Sequence, residues 1–377
     1  MTNHHLHIVT FDIPFPPTYG GAIDVFYRIQ ELARQGIDIT LHCYYKGDLK
    51  RYPDLEKLCR KVYYYPRTTT FSRMLHFRPY AVVSRPVKPL LTNLLQDNDP
   101  ILFEGLVTCA LMNHPQLKNR KKYLRECNIE HEYFHALAKA AHGWGNKLYY
   151  WSDAMRLRQF EKIVLHSDGI FAIAHQDEQH FQQRYPSVPT TFISAFHPNV
   201  ITNIPDGLGS YILYHGNLDV SENYNAARII IREIASRLPD VQFVIAGRYH
   251  NHVLDPLLAT TDNVRLVPNP DDGTMAKLIH DAQINLLITE QATGLKLKLL
   301  NVLYQGRHVV ANDKMVEGTD VASLCHIAGS YDEIAQQCRE WMTVSVSEKE
   351  RQTRTNVLNT YYDNAKWCKV LISRLFQ

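Results

Sequence analysis

The segment Thr293-Gly-Leu-Lys-Leu-Lys-Leu-Leu-Asn301 sets two lysines, Lys296 and Lys298, in the first turn of an expected helix. Thr293 and Gly294 read as its N-cap and leading turn, and Gly306 as its C-cap. Leu295, Leu299, Val302 and Leu303 supply the apolar face. Cations are disfavoured at a helix N-terminus, which already carries partial positive charge. Either both lysines are solvated, or an anion bound to the same helix end holds them there. A sugar-nucleotide diphosphate suits the second case. Two further strands end in groups of the same kind: Ser210–Asn217 closes on Gly216-Asn217, and Val241–Arg248 closes on Gly247-Arg248. One arginine and two lysines can meet a diphosphate without a metal. Near the N-terminus, Gly20-Gly21 precedes a helix, where two glycines either shape an ordinary turn or let backbone amides approach a ligand. Glu104 and the group Asn128, Glu130 and His131 follow two other apolar runs and supply candidate acid–base chemistry.

The elements that must position these residues alternate. Leu6–Phe11, Ile37–Tyr45, Lys61–Tyr65, Ile101–Val107, the run from Lys122 and Asp168–Ala174 read as strands. Helical patterns lie at Ile23–Ala33, Glu132–Ala141, Tyr149–His166 and Gln176–Arg184. His197-Pro-Asn199 and Pro205-Asp-Gly-Leu-Gly209 make a turn-rich linker. Beyond it come strands at 210–217, 241–248, 264–267, 284–288 and 308–311, with helices between. Such β–α alternation implies parallel sheets with right-handed crossovers, and ligands on these sheets bind beyond the strands' carboxyl ends. Every candidate above sits at such an end or at the helix start that follows it.

Composition narrows the class. A chain of 377 residues suits two domains, and 45% hydrophobic with 21% charged residues is ordinary for a globular protein. A net charge of +3 gives no case for nucleic acid. The seven cysteines are scattered with no CxxC pair, as in a reducing cytoplasmic compartment. No apolar run approaches membrane-spanning length, and no secretory signal pattern is present. The absence of a GxGxxG run argues against a dinucleotide-binding dehydrogenase. Asp97-Asn-Asp99 matches a DxD metal motif by letter, but Pro100 follows it and the strand comes after, so it reads as a polar turn. Two basic runs, Phe71–Lys88 with its aromatics and Lys118–Lys122, read as solvated faces or as a surface for anionic lipid.

The segment from Thr293 to Gly306 resembles the nucleotide-sugar motif of GT-B glycosyltransferases of the group 1 class, and Gly20-Gly21 resembles their N-terminal glycine pair. The resemblance implies an α/β fold, GT-B, of two Rossmann-like parallel-sheet domains facing an interdomain cleft. It divides the chain into an acceptor-side domain at 1–203, a nucleotide-sugar domain at 204–360, and a last helix at 361–377 that crosses back to the first domain. It puts Lys296 and Lys298 on the phosphate-binding positions, beside Gly20, Gly21, Gly216, Asn217 and Arg248. Thr293, Gly294, Leu295 and Asn301 fall on the donor-sugar and ribose side, with Thr293 and Asn301 in place of two glutamates. Val107 and Cys127 stand where the family has histidines. Catalysis is expected from Glu104, Glu130 and His131. The implied activity is metal-independent, retaining transfer of a sugar from a UDP- or GDP-type donor, with no other cofactor, to a glycan or lipid-linked acceptor of a bacterial cell-surface or glycoprotein glycan. The expected location is cytoplasmic, with peripheral contact of Phe71–Lys88 at the inner membrane face. The four departures from the family pattern leave open a non-catalytic protein that binds a nucleotide sugar or glycan as regulator or assembly partner.

Overall fold

The computed structural model describes residues 4–70, 73, 76–141, 143–290 and 297–377. The chain divides into two compact units, one of residues 4–198 with Asn364–Gln377, the other of residues 199–290 with 297–363.

Seven strands form the first unit's sheet: β1 His5–Thr10, β2 Asp38–Tyr45, β3 Lys61–Pro66, β4 Ile101–Glu104, β5 Lys122–Glu126, β6 Gly169–Ala172 and β7 Thr190–Phe192. Their order is β3-β2-β1-β4-β5-β6-β7, and every pair is parallel. The second unit has β8 Tyr211–His215, β9 Gln242–Gly247, β10 Val264–Pro268, β11 Ile284–Leu287, β12 His308–Ala311 and β13 His326–Ile327. Its order is β10-β9-β8-β11-β12-β13, again all parallel. Runs such as Ile101-Leu-Phe and His308-Val-Val-Ala are buried throughout because helices cover both faces of each sheet. Both sheets grow outward from their first strand and then reverse. The reversal lies between β1 and β4 in one unit and between β8 and β11 in the other, and each such switch point leaves a crevice beyond the strand ends.

One face of the first sheet buries Val9, Tyr44, Phe103 and Leu124 against Leu90, Leu157 and Phe181. The opposite face buries Leu6, Ile8, Leu41 and Leu102 against Val25 and Ile29 of the helix Gly20–Arg34. The C-terminal helix Asn364–Leu375 adds Cys368, Leu371 and Leu375 to that same core. The Tyr123 hydroxyl donates to the Leu375 carbonyl at 3.3 Å.

Several elements differ from the sequence expectations. The division falls after Pro198. Helices begin at Glu130 and Trp144, and the second passes into a 3-10 segment at Glu161–His166. Strand β7 is three residues of Thr-Thr-Phe, too short and polar for a periodicity signal. The helices Tyr331–Trp341 and Glu348–Tyr361 each start in a full capping box, Ser330 with Glu333 and Ser347 with Glu350. The two basic runs are not wholly solvated. Arg85 is buried and donates to the Phe11 carbonyl at 3.0 Å, and Arg120 and Lys122 turn inward, Lys122 donating to the Leu117 carbonyl at 2.9 Å.

A buried ion cluster ties the helix Gly20–Arg34 to the sheet. Arg28 meets Asp24 at 2.6 Å and Glu104 at 2.5 Å, while Arg125 meets Asp24 at 3.1 Å. Arg125 also donates to the carbonyls of Ile193 and Ser194 at 2.5 and 3.0 Å, and Asp24 accepts from Phe196 N at 2.8 Å. Two cations and two anions cancel. Burial would raise Asp24, but Arg125 and Arg28 hold it at about 2. Removing one member of such a cluster leaves an uncompensated charge in the core. Arg28→Met should therefore cost about 3–5 kcal/mol in denaturant unfolding. A loss below about 1 kcal/mol would show that the cluster is energetically neutral.

Candidate functional site

In the first unit the candidates gather beyond β1, β4 and β5. Gly20 and Gly21 are the first two residues of the helix Gly20–Arg34, after extended Tyr19. A Cβ on Gly21 would come within 2.9 Å of the tip of the Phe11 ring, so a larger residue there would need that ring to shift. Glu104 closes β4 and is 0% exposed, committed to Arg28 in the ion cluster, and burial pushes its carboxyl up to about 7. As placed, it has no atom open to an acceptor. The next residue, Gly105, has φ +70°, and a Cβ on it would lie 3.1 Å from Glu130 Oε1. Glu130 is half-buried at the start of the helix Glu130–Ala140, and burial, opposed by Arg85, pushes it up to about 7. Glu126 lies behind it, buried, and is raised by burial and by the charge of Glu130.

His131 turns away from this group. Its Nδ1 lies 2.9 Å from Glu161 Oε2, and the other carboxyl oxygen of Glu161 takes His180 at 3.2 Å and the Tyr185 hydroxyl at 3.0 Å. Burial would raise Glu161, but His131 and His180 hold it at about 2. His131 therefore anchors its helix. Val107 is buried in the apolar core, and the Cys127 thiol stands 4.0 Å from Asp24. Glu130 combines partial exposure with a pKa suited to proton transfer near neutrality.

In the second unit the ends of β8 and β9 meet glycine against glycine. A Cβ on Gly247 would fall 1.8 Å from the Gly216 carbonyl oxygen, so no side chain fits at this point. Asn217 is exposed and its Oδ1 accepts from Asp219 N at 3.1 Å. Asn223, on the helix Ser221–Ile229, donates to the Asn217 carbonyl at 3.1 Å and accepts from Lys298 Nζ at 3.1 Å. Lys298 lies in the first turn of the described helix Leu297–Gln305, its ammonium 5.3 Å above the Tyr214 ring. The side chain of Arg248 is 67% exposed, with Nε 3.4 Å from Asp219 Oδ2. Contacts thus run from Lys298 through Asn223, Asn217 and Asp219 to Arg248, around the carboxyl ends of β8 and β9. Beneath them His215 is buried with no partner at Nε2, and burial, aided by Lys298, lowers its ring to about 3. Asn301 lies further along its helix, where its Oδ1 accepts from Asn199 at 2.8 Å.

Thr293, Gly294, Leu295 and Lys296 lie outside the described residues. The sequence reading passed over Asn223, which joins the lysine to the glycine turn, and read Arg85, whose charge acts on Glu130, only as part of a basic surface run. Asn223 gave no signal because a lone asparagine in a helix has no characteristic spacing.

Residues 209–343 match the family model described as Glycosyl transferases group 1. The matched stretch lies within the second unit. A Klebsiella pneumoniae protein described as an uncharacterized 44.6 kDa protein in cps region is 25% identical over 330 residues, 83% of this chain and 84% of its own. Among solved structures, TarM is 12% identical with a TM-score of 0.70, covering 100% of this chain and 99% of its own. WaaG, titled a glycosyltransferase involved in lipopolysaccharide biosynthesis, is 13% identical with a TM-score of 0.63, covering 98% and 99%. At these identities the likeness concerns the fold, which is GT-B over the whole length. The matched residues include the switch point that carries Lys298 and Asn217.

The raised carboxyl of Glu130 makes a pH prediction. A pKa of about 7, against an ordinary 4.5, means folding favours the protonated acid, so the benefit is present below the ordinary value and is lost as pH rises through about 7. Glu130→Gln should raise the melting temperature more at about pH 8 than at about pH 5. A pH-independent difference would contradict the assigned environment.

Proposed function

We propose that the protein is a metal-independent glycosyltransferase that moves a sugar from a UDP- or GDP-type nucleotide sugar to a glycan or lipid-linked acceptor of a cell-surface polysaccharide. The observation that carries this reading is the convergence of Lys298, Asn223, Asn217 and Arg248 at the strand ends of a group 1 domain. These groups suit a diphosphate, and their charge would grow in value as the phosphate oxygen takes up negative charge. In the transfer, the bond from the sugar's anomeric carbon to the β-phosphate oxygen breaks. A bond to the acceptor hydroxyl forms, and the hydroxyl proton leaves to a base or to the departing phosphate. Glu130 is the proposed group that orients the acceptor. Retention of anomeric configuration is part of the proposal, as is the role of Thr293, Gly294, Leu295 and Lys296 on the donor side.

The cps-region relative supports a capsular or related surface polysaccharide as product class. Contact with a membrane is supported by the helix Trp144–Phe160, whose residues Trp144, Leu148, Trp151 and Met155 are exposed at one-face spacing, Trp144 by 90%, and by Phe77 at 96%. No helix among the described residues is long and apolar enough to cross a membrane. A location at the inner membrane face follows from this reading. The second reading, a nucleotide-sugar or glycan binder without turnover, is favoured by one observation: Val107 is buried in the core and gives a donor no polar contact.

Thermal unfolding with UDP, GDP, CDP, ADP and their sugar conjugates tests the donor site. A ligand at about 100 times its Kd adds about 2.7 kcal/mol. One nucleotide series should stabilise the wild type and do so far less in Lys298→Ala. No shift with any of them would remove the donor-site assignment. Release of free nucleotide on addition of acceptor glycan then separates an enzyme from a binder. For the membrane contact, the paired change Trp144→Glu and Trp151→Glu should abolish sedimentation with anionic vesicles and leave nucleotide binding intact. Unchanged sedimentation would exclude this helix as the contact.

A further inference from the structure

The first sheet carries a second polar centre, at the edge opposite its candidate catalytic residues. A parallel sheet covered on both faces normally buries apolar side chains at every position. On the face of β1 and β2 that buries Val9 and Tyr44, the positions nearer the strand starts are instead His5, His7, Thr40 and His42. His7 and His42 are fully buried. The loop before β4 brings Asp97 and Asp99 against them. His7 Nε2 lies 2.9 Å from both oxygens of Asp97, and His5 Nδ1 contacts Asp99 Oδ2. The expected polar turn is present, with Asp99 N donating to Asp97 Oδ1 at 3.1 Å. Its carboxylates, however, point at two imidazoles.

We propose that His5, His7, Asp97 and Asp99 bind a divalent transition metal of the zinc type, as a structural clamp between β1 and the loop before β4. One ligand atom from each of the four lies within 4.8 Å of all the others. Metal–ligand bonds of about 2.0–2.2 Å space tetrahedral ligands about 3.3–3.6 Å apart, so these atoms are close to chelating range. Two imidazole nitrogens and two carboxylates suit zinc in charge and in ligand type.

The outer contacts are those a metal-bound histidine needs. Each candidate ring turns one nitrogen to the centre and has the other fixed from behind. His5 Nε2 is 2.8 Å from Thr40 Oγ1. His7 Nδ1 is 2.9 Å from His42 Nε2, whose own Nδ1 is 2.9 Å from the Tyr65 hydroxyl, and Asn93 closes the chain at 2.7 Å. Such partners set the tautomer and aim of a ligating ring. Arg120 plays the same part for Asp97, donating at 2.7 Å to one oxygen and leaving the other for the centre. A cavity of about 330 Å³, lined by the four candidates with Arg60, Lys61 and Tyr63 among others, gives an ion a route from solvent.

Because the centre adjoins the starts of the strands, the ion would contribute stability and leave the chemistry of transfer to other groups. It is therefore independent of the proposed donor site. The test uses the full chain without an affinity tag, stripped with chelator and titrated with Zn²⁺ and Co²⁺. The expected results are saturable binding of one equivalent, intense visible Co²⁺ bands of tetrahedral type, and a rise in melting temperature with Zn²⁺. His5→Ala and the isosteric Asp99→Asn should each abolish the equivalent while the far-ultraviolet dichroism stays that of the wild type. Thr40→Val, which removes only an outer contact, should weaken binding about 10–100-fold. Absence of saturable binding, or binding that survives both His5→Ala and Asp99→Asn, would overturn the proposal, and the histidine–aspartate contacts would then be hydrogen bonds only.

Discussion

Parallel pairing is the constraint on which the rest of this structure depends. Every strand pair in both sheets is parallel. Each strand must therefore be followed by a crossover, and all the turns that leave the strands lie at one end of each sheet. Where the strand order reverses, two neighbouring crossovers go to opposite faces and a crevice opens between them. Gly20, Gly21 and Gly105 lie at that point of the first sheet, and Gly216, Asn217 and the helix of Lys298 at that point of the second. Topology thus selects the place, and the side chains then decide what can be bound there.

Charge is handled differently in the two units. Below the first crevice, Asp24, Arg28, Glu104 and Arg125 form a closed, neutral cluster that fixes the helix Gly20–Arg34 on the sheet. That use of Glu104 leaves Glu130 as the half-buried carboxyl nearest Gly105, in surroundings that raise its pKa. The second crevice carries two cations, Lys298 and Arg248, with Asp219 beside Arg248. Lys298 meets an amide oxygen and an aromatic face among its partners, and Arg248 lies 3.4 Å from one carboxylate with most of its side chain in water. An electropositive pair at helix and strand ends matches a diphosphate better than a neutral sugar.

The sequence made the alternation of elements legible because most strands are unbroken apolar runs, and Ile101–Glu104, Ile284–Leu287 and His308–Ala311 lie where those runs are. It failed where the signal is short or tertiary. Strand β7 spans Thr190–Phe192 and takes its identity from pairing with β6. Lys298 and Arg248 were readable as candidates from their place after strands. The burial of Glu104 was not, since it depends on Arg28 from a distant helix, and neither was the diversion of His131 to Glu161. Basic letters in Phe71–Lys88 and Lys118–Lys122 looked superficial, yet Arg85, Arg120 and Lys122 are buried because backbone carbonyls accept their protons. His5, His7, Asp97 and Asp99 are far apart in sequence, and only the pairing of β1 with β4 brings them together.

The central claim is that a nucleoside diphosphate seats on the second unit at Lys298, Asn223 and Asn217. Amide hydrogen exchange, followed by mass spectrometry with and without UDP or GDP at saturating concentration, tests it most directly. The account predicts that one of the two slows exchange in peptides covering residues 214–223 and 297–305. No slowing with either nucleotide, or slowing confined to other peptides, would contradict it.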